Sequence, residues 1–455
     1  MELSDLTITV LKGDIETVED LIDAIGANVT LDSEAAITAA KSAYAALSDE
    51  DKALVDADKV DALTAAIIRL NQLKHADLMA NLDTIYKTTG DFMATLGTPT
   101  VNSTGGEWMV IGLARSGRTV PAGYYDNVVE YVKAKADANE RLHPTKVTDN
   151  ARVILALTAI GKDVTNVGGH NLLKGLDSMD YVQAQDINGP IFTLIALDSH
   201  NYPTMGDVTR EKLIQVILNA QLNDGGWDLS ADKADPDMTA MAIQALAPYY
   251  KTNETVKAAV DKALEALSAL QRTDGGFDSW GTVNSESCAQ VIVALTALGI
   301  DPTADSRFVK NGHTVPDALA GFYVTGGGFR HTAGGERNDM ATEQGYYALA
   351  SYYRFLNGQT SLYEMSDVTV QTAGTSGGGN SGNGTNNGGT PATGDTGVLV
   401  WVIALPTAAL AAAFVLKRKE REAEAKQQPL SGNIPQPPRG LWSPTRRRGW
   451  MVGVE

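Results

Sequence analysis

The stretch Gln221-Leu-Asn-Asp-Gly-Gly-Trp227 returns twice further along the chain, as Gln271-Arg-Thr-Asp-Gly-Gly-Phe277 and as Tyr323-Val-Thr-Gly-Gly-Gly-Phe329. The aromatic residues that end the three copies are 50 and 52 residues apart. An Ala-Leu pair follows each copy at matching depth, and weaker pairs occur upstream; the pairs begin at Ala156, Ala196, Ala245, Ala294 and Ala348. A fixed period of this length indicates units that bury one another's faces rather than folding alone.

Two kinds of helix alternate within each unit. One is amphipathic, with apolar residues at Val256, Val260, Ala263, Leu264 and Leu267, whereas the next, 288–298, is apolar nearly all round. An amphipathic helix faces solvent on one side, but an apolar helix must be covered on all sides, and two concentric layers achieve both. About 280 residues at roughly 50 per unit give five to six helix pairs. The sequence therefore predicts an all-α chain whose residues 74–366 form an α/α toroid.

The pattern Gln-x-x-x-Gly-x-Trp at 221–227, repeated in phase with Phe at 277, resembles the repeat of prenyltransferases and squalene cyclases. The resemblance implies a terpenoid cyclase-like toroid in which the glycines form a tight turn and the aromatic residue packs against the next helix pair. Toroids of this kind also serve as cobalamin carriers and as thioester-containing defence proteins. Fold analogy alone thus admits a cobalamin-type ligand, and the chemistry must be argued from the site.

Asp235-Pro-Asp237-Met-Thr-Ala240 resembles the acid motif of squalene-hopene-type cyclases. The resemblance makes Asp235 and Asp237 the candidate catalytic residues, with Asp237 as the acid that protonates an alkene. Met238 stands where that family has a neighbouring carboxylate, and a strong acid needs such a neighbour. The alternative is structural, with Asp237 capping a helix that begins at Met238.

Glu286-Ser-Cys288 is placed like the acidic-x-Cys pair that binds zinc in protein prenyltransferases. Zinc needs at least a third protein ligand, but Thr342 stands where the family's histidine would fall and His331 comes eleven residues too early. We therefore predict no metal site and no cofactor, and we expect Cys288 to be a small buried thiol.

Polar residues gather around the third Gly-Gly-Phe turn, where a rim loop of a toroid would open onto a central cavity. They are Arg330, His331, Glu336, Arg337, Asp339 and Glu343. We predict a ligand-binding set of Trp227, Phe277, Phe329, Arg330, His331 and Glu343. The alternative is an ordinary solvated loop.

The flanking segments indicate a bacterial surface protein. Residues 1–73 are acidic and alanine-rich and predict a helical spacer, in which the alternating pattern of 1–10 indicates the last strand of an upstream domain. Residues 367–396 predict a flexible tether. An apolar span at 397–416 and a basic tail at 417–455 predict one transmembrane helix with its basic side in the cytoplasm, and we expect an export signal upstream of Met1.

The end of the tether resembles the sorting signal of Gram-positive surface proteins. Thr390-Pro391-Ala-Thr393-Gly394 precedes the apolar span, and the family's sortase cuts between Thr and Gly to join the protein to peptidoglycan. Sortase and peptidoglycan are thus the implied partners, with Pro391, Thr393 and Gly394 as the signal, although Thr390 stands where the family has Leu. The alternative is a plain tail-anchored membrane helix.

Composition limits the remaining functions. The net charge of −18 excludes a general nucleic-acid surface, and the single cysteine excludes a disulfide within the chain. We therefore predict a cell-wall-anchored toroid that acts as a non-catalytic binding or adhesion module for an unknown small molecule or surface ligand. The alternative is a terpenoid cyclase or prenyltransferase that uses Asp237 as its acid.

Overall fold

The computed structural model describes residues 3–230 and 232–371, which are mostly helical. Its helices are α1 (Leu3–Asp23), α2 (Glu34–Ala46), α3 (Asp49–Lys52), α4 (Ala57–Ala94), α5 (Glu107–Arg115), α6 (Tyr124–Lys135), α7 (Val147–Ala159), α8 (Met179–Gln183), α9 (Asn188–Asp198), α10 (Arg210–Asn219), α11 (Pro236–Leu246), α12 (Glu254–Leu270), α13 (Ser285–Ala297), α14 (Val315–Ala320) and α15 (Asp339–Leu356). Two antiparallel hairpins pair β1 (Asp278–Ser279) with β2 (Thr282–Val283) and β3 (Phe329–Arg330) with β4 (Arg337–Asn338).

Six helices form a closed ring. In the order α5, α7, α9, α11, α13 and α15, each contacts the next, and α15 returns to contact α5. The Ala-Leu pairs of α7, α9, α11, α13 and α15 are all buried, which explains why these helices are apolar nearly all round. The arrangement is consistent with the predicted α/α toroid.

A second layer packs outside the ring. Helix α10 contacts α9, α12 contacts α11, α14 contacts α13, and α4 contacts both α5 and α15. Helix α12 shows why these helices are amphipathic, because Val256, Val260, Ala263, Leu264 and Leu267 are buried while its opposite face is exposed. The two layers share one hydrophobic core.

Aromatic side chains pack between three of the inner helices. Trp108 on α5 lies 5.8 Å from Phe192 on α9 and 6.0 Å from Tyr347 on α15, measured between ring centroids. Helices α15 and α5 are neighbours in the ring, and α9 is two places from α5. Aromatic packing therefore joins three of the inner helices.

The repeated Gly-Gly-aromatic segments connect the outer helices to the inner ones. The Gln221 side chain donates to the carbonyls of Gly225, at 2.7 Å, and Ala259, at 2.8 Å, and Gln271 donates in the same way to Gly275 and Phe308, both at 3.0 Å. Gly225 and Gly275 have φ of +94° and +83°, which glycine adopts without strain. Each glutamine thus holds its own turn and ties that turn to the neighbouring outer segment.

Three predictions about the flanking segments need correction. Helix α4 runs through the predicted boundary at 73/74, and α1, α2 and α4 pack together as a small bundle at its start. Residues from Leu3 onward form α1, so the predicted strand at 1–10 is wrong; five alternating residues do not outweigh extension of the adjoining amphipathic helix. The predicted tether does not begin at 367, because Asp367 forms ion pairs with Arg115, at 2.8 Å, and Arg354, at 2.6 Å.

No helix among the described residues is both long enough and apolar enough to cross a membrane. The predicted sorting signal at 391–394, the predicted span at 397–416 and the predicted tail at 417–455 lie outside the described residues.

Candidate functional site

Three inner helices begin in the same way. Asp235 caps α11, Asn284 caps α13 and Asn338 caps α15, each accepting hydrogen bonds from backbone amides of the first turn at 2.8 to 3.0 Å. For α11 the donors are the amides of Asp237 and Met238. The expectation that Asp237 is the cap is therefore wrong: Asp235 caps this helix, and Asp237 lies in its first turn.

The second and sixth residues after each cap face one cleft, because positions four apart share a face of a helix. The cleft has a volume of about 370 Å³. The second positions are Asp237, Glu286 and Met340, and the sixth positions are Met241, Gln290 and Gln344. Ser279, Thr282, Asn284 and His331 complete the lining.

The hairpins that follow the connectors form one wall of this cleft. Ser279 Oγ on β1 donates to Asp235 Oδ2 at 2.6 Å, so the first hairpin lies over the start of α11. The second hairpin lies over the start of α13, where Ser285 Oγ donates to the Arg330 carbonyl at 2.9 Å and the Ser285 amide donates to the His331 carbonyl at 3.1 Å. Each hairpin thus covers the preceding inner helix, and this brings His331 beside Glu286.

Glu286 and His331 form a pair across the mouth of the cleft. His331 Nδ1 lies 2.9 Å from Glu286 Oε2 and 3.0 Å from Oε1. The His331 side chain is 50% exposed, whereas that of Glu286 is 13% exposed. The imidazole is therefore at the entrance, and the carboxylate lies further in.

Asp237 is the cleft residue whose pKa is raised most. Its Oδ1 is buried and has no hydrogen-bond partner in the part of the chain that the structure describes. Burial raises the pKa of Asp237 to about 7, the nearby Asp235 and Glu286 carboxylates add to the rise, and the nearby Ser287 and Ser279 hydroxyls oppose it. Asp237 therefore exchanges its proton near neutral pH, and it can act either as a proton donor or as an anionic partner for a ligand.

Amide side chains form the inner end of the cleft. Gln290 Nε2 donates to Gln344 Oε1 at 2.9 Å and to Tyr347 Oη at 2.7 Å. Gln244 Nε2 in turn donates to Gln290 Oε1 at 2.9 Å and to its carbonyl at 3.0 Å. Because Tyr347 also contacts Trp108, this amide network adjoins the aromatic contact between α15 and α5.

Five of the residues predicted to bind ligand lie elsewhere. Trp227, Phe277 and Phe329 are fully buried, and Trp227 Nε1 donates to the Ile217 carbonyl at 2.7 Å. Glu343 is buried where α15 meets the segment before α5, and its Oε1 accepts from the Gly105 amide at 2.6 Å. Arg330 donates to the Tyr323 carbonyl at 3.2 Å. Of the predicted set, only His331 lines the cleft, so we leave the other five out of the site.

The two residues compared with a zinc pair do not face the same space. Glu286 lines the cleft, but Cys288 is fully buried in the same helix, and burial raises the pKa of its thiol to about 12. Residues two apart on a helix point in different directions. Among the described residues, no group of three or more His, Cys, Asp and Glu side chains is placed to hold a metal ion.

The sequence carried a signal that the polar residues of the cleft lie together, although the sequence analysis did not group them. Glu286 is equivalent to Asp237, and Gln344 is equivalent to Gln290, when the three units are aligned on their helix caps. Aligning the units on their caps as well as on their aromatic residues would have placed these four side chains on one face. The Ser279 and Thr282 contributions depend on the hairpin fold, for which the short pattern gave no clear signal.

Comparisons with known proteins leave the family open. No family model matches the chain, and no curated protein matches it. Among solved structures, the chain is similar to ent-copalyl diphosphate synthase from Streptomyces platensis, a terpene cyclase, with 21% identity over 55% of this chain and a TM-score of 0.37. The alignment spans 50% of that protein's length. A likeness of this size carries no argument about activity, so function is argued from the cleft.

Proposed function

We propose that the cleft formed by α11, α13 and α15 binds a small cationic ligand that carries amine groups. The observation that supports this most is Asp237 Oδ1, a buried carboxylate oxygen in the cleft without a hydrogen-bond partner among the described residues. An ammonium group would supply the missing donor and would compensate the buried charge.

The charge of the lining favours the same ligand. Two carboxylates, Asp237 and Glu286, line the cleft, while the described lining includes no lysine or arginine. His331 is its one basic side chain, and it is paired with Glu286. A concave surface with one sign of charge attracts ligands of the opposite sign, and the net charge of −18 adds to that attraction.

The lining is unfavourable for an isoprenoid substrate. Met241 and Met340 are the apolar members of a set in which the other eight residues are polar. Trp108 packs against Phe192 and Tyr347, so a long hydrocarbon chain could not pass between α5, α9 and α15 without displacing these rings. Terpenoid cyclization needs an apolar cavity that excludes water, so binding is the function that the geometry supports better.

General acid catalysis at Asp237 is the second candidate, because a pKa of about 7 suits proton transfer. It is tested by incubating the purified full chain with squalene and, separately, with farnesyl diphosphate, followed by product analysis. Turnover that disappears in Asp237→Asn would favour this candidate over binding.

The binding proposal is tested by calorimetric titration of the full chain with putrescine, with 1,4-butanediol as the neutral analogue of the same length. Since Asp237 ionises around pH 7, we expect the affinity for putrescine to rise about tenfold between pH 6 and pH 8. Asp237→Asn should weaken binding by about tenfold, as expected for a lost charge-assisted hydrogen bond, and should remove most of the pH dependence.

Asp126→Asn is the matched control, because Asp126 is exposed on α6 and away from the cleft lining. It should bind putrescine like the wild-type chain. Equal affinity for putrescine and 1,4-butanediol, or an Asp237→Asn variant that binds putrescine normally, would contradict the proposal.

We further propose that this module is displayed on the bacterial surface through covalent linkage of Thr393 to peptidoglycan. Support comes from the order of the motif at 390–394, the apolar span at 397–416 and the basic residues that follow. Mass spectrometry of fragments released by muramidase should detect Thr393 joined to a cell-wall peptide. Recovery of intact chain that contains Trp401 would leave plain membrane anchoring instead.

A further inference from the structure

A second, larger cleft opens at the other end of the ring, where α9, α11, α13 and α15 end. Its volume is about 780 Å³, within the range of small-molecule sites. The lining includes Asp198, Tyr249, Leu298, Phe355 and Tyr363 and continues into the segment after α15. This cleft shares no residue with the cleft around Asp237.

Two neutral polar atoms in this second cleft have no hydrogen-bond partner among the described residues. Gln244 is buried, and while its Nε2 is used by Gln290, its Oε1 has no hydrogen-bond partner within the described ranges. Tyr363 Oη likewise forms no hydrogen bond in the described part of the chain. One is a hydrogen-bond acceptor and the other can donate, so a hydroxyl-bearing ligand would satisfy both.

Charge on the second cleft is balanced, in contrast to the rest of the chain. Asp198 is held by Arg210 at 2.6 Å and by Tyr249 Oη at 2.8 Å. The remaining charged residues of the lining are Lys251 and Glu364, one of each sign. A neutral wall in a chain of net charge −18 favours a neutral ligand.

Aromatic rings supply the rest of the surface, and two of them are held in place. Tyr249 Oη donates to Asp198 at 2.8 Å and Tyr250 Oη donates to Asp261 at 2.7 Å, which fixes the orientation of adjacent rings. Phe355 and Tyr363 line the same space. Rigid aromatic faces offer contact area at a low cost in conformational entropy, and sugar rings present the flat C–H faces that pack on them.

We infer that this second cleft binds a neutral oligosaccharide, which packs its rings on the tyrosines and satisfies Gln244 and Tyr363 with its hydroxyls. This site is independent of the amine cleft proposed above. The two clefts share no lining residue, and their inner ends meet at the hydrogen bond from Gln244 Nε2 to Gln290.

The test uses the purified full chain with maltohexaose, cellohexaose and chitohexaose, followed by calorimetry and saturation-transfer NMR. At least one hexasaccharide should bind, and Tyr363→Phe should weaken that binding by about tenfold, as expected for one lost hydrogen bond. Tyr250→Ala should weaken it by at least about tenfold through the loss of one aromatic face. Tyr44→Phe, in the N-terminal bundle, is the matched control and should bind like the wild-type chain.

Asp237→Asn leaves the lining of the second cleft unchanged and should bind the hexasaccharide normally. Sugar binding can therefore succeed or fail independently of amine binding at Asp237. The inference is overturned if none of the three hexasaccharides binds below about 10 mM, an affinity too weak to count as a site. It is equally overturned if Tyr363→Phe and Tyr250→Ala bind like the wild-type chain, or if farnesol displaces the sugar competitively with higher affinity.

Discussion

The two halves of the ring use the same helical face differently. In the half made of α11, α13 and α15, the second and sixth residues after each cap are turned into the open cleft. In the half made of α5, α7 and α9, the corresponding positions of α7 are Thr148 and Arg152, and both are occupied by protein partners. Thr148 pairs with Gln185, at 3.0 and 3.1 Å, and Arg152 binds Glu107 and Asp149.

The difference shows what makes a site in this fold. Polar residues at the inner-helix starts occur in both halves. The hairpins after the second and third connectors lie over the starts of α11 and α13, and there Asp237 and Glu286 line an open cleft. In the other half, hydrogen bonds and ion pairs within the protein satisfy the corresponding residues. The connector therefore contributes more than a turn, since it carries the hairpin that forms the cleft wall.

The largest effect on stability is expected for Trp227→Ala, which removes the aromatic residue of the first connector. Trp227 is fully buried and its indole donates to the Ile217 carbonyl, so we expect the free energy of unfolding to fall by about 5 kcal/mol from lost packing and one lost hydrogen bond. Urea denaturation measures the change.

Trp280→Ala is the matched control for this substitution. Trp280 is 69% exposed at the tip of the first hairpin, so its removal should change the free energy of unfolding by at most about 0.5 kcal/mol. Equal effects of the two substitutions would show that the connector aromatic does not anchor the unit.

The contrast also defines how much could be predicted from the sequence. The half made of α11, α13 and α15 was predictable because glycines, aromatic residues and Ala-Leu pairs recur there at a fixed period. Asp237 and Glu286 could be singled out, each through a separate family resemblance, but not brought together, since that depends on the register of three helices. Trp227, Phe277 and Phe329 were predicted to bind ligand because sequence alone does not distinguish an aromatic residue at the rim from one in the core.

The seam between the halves supplies the next test. Glu343 on α15 is buried against Gly105, and burial raises the pKa of its carboxyl from 4.5 to about 8. A carboxyl whose pKa is raised on folding stabilises the protein fully below the unfolded pKa, and this contribution is lost as pH rises through the folded pKa. The wild-type chain should therefore lose stability between about pH 4.5 and pH 8.

Glu343→Gln keeps the oxygen that accepts from Gly105 but cannot ionise. Relative to the wild type it should gain roughly 3 to 4 kcal/mol of unfolding free energy between pH 5 and pH 8.5, following the size of the pKa shift. Denaturation at a series of pH values measures this, with the exposed Glu265→Gln on α12 as control. If the free energy of unfolding changes with pH in the same way for Glu343→Gln and the wild type, the Glu343 carboxyl does not cause the loss of stability with rising pH.

Arg152→Met tests the half made of α5, α7 and α9. Arg152 is the partner of the buried Glu107, whose pKa burial raises to about 7 while Arg152 lowers it. Removing the arginine should cost about 2 to 3 kcal/mol at pH 8, where Glu107 is ionised in the wild-type chain but in the variant must stay charged without its partner or take up a proton. The cost should be less at pH 6, where the carboxyl is protonated in both chains. Thermal unfolding at the two pH values measures the difference. A cost that is the same at both would mean that packing of the arginine side chain, rather than its charge, supports this half.

The smallest effect is expected for a substitution at Cys288, which tests whether the three units that contain α11, α13 and α15 are equivalent. Four residues after the cap, Thr239 and Thr342 each accept a hydrogen bond from the amide of their connector aromatic, Trp227 at 2.9 Å and Phe329 at 3.0 Å, through Oγ1. Cys288 holds this position in the middle unit and offers the Phe277 amide only a sulfur, which is a weaker acceptor.

Cys288→Thr should therefore restore the stronger hydrogen bond, and we expect it to raise the free energy of unfolding by about 0.5 to 1 kcal/mol in urea denaturation. The methyl group of threonine is accommodated in the other two units, so the same space should exist here if the units are equivalent. Cys288→Ala, which has no acceptor, is the matched control and should lose about 1 kcal/mol or more, because the amide is left unpaired. Cys288→Thr could instead be destabilised as much as Cys288→Ala. The middle unit would then pack differently from its neighbours around Gly276. In that case the three units would be equivalent at their helix caps alone, and the alignment of Asp237 with Glu286 would depend on the caps only.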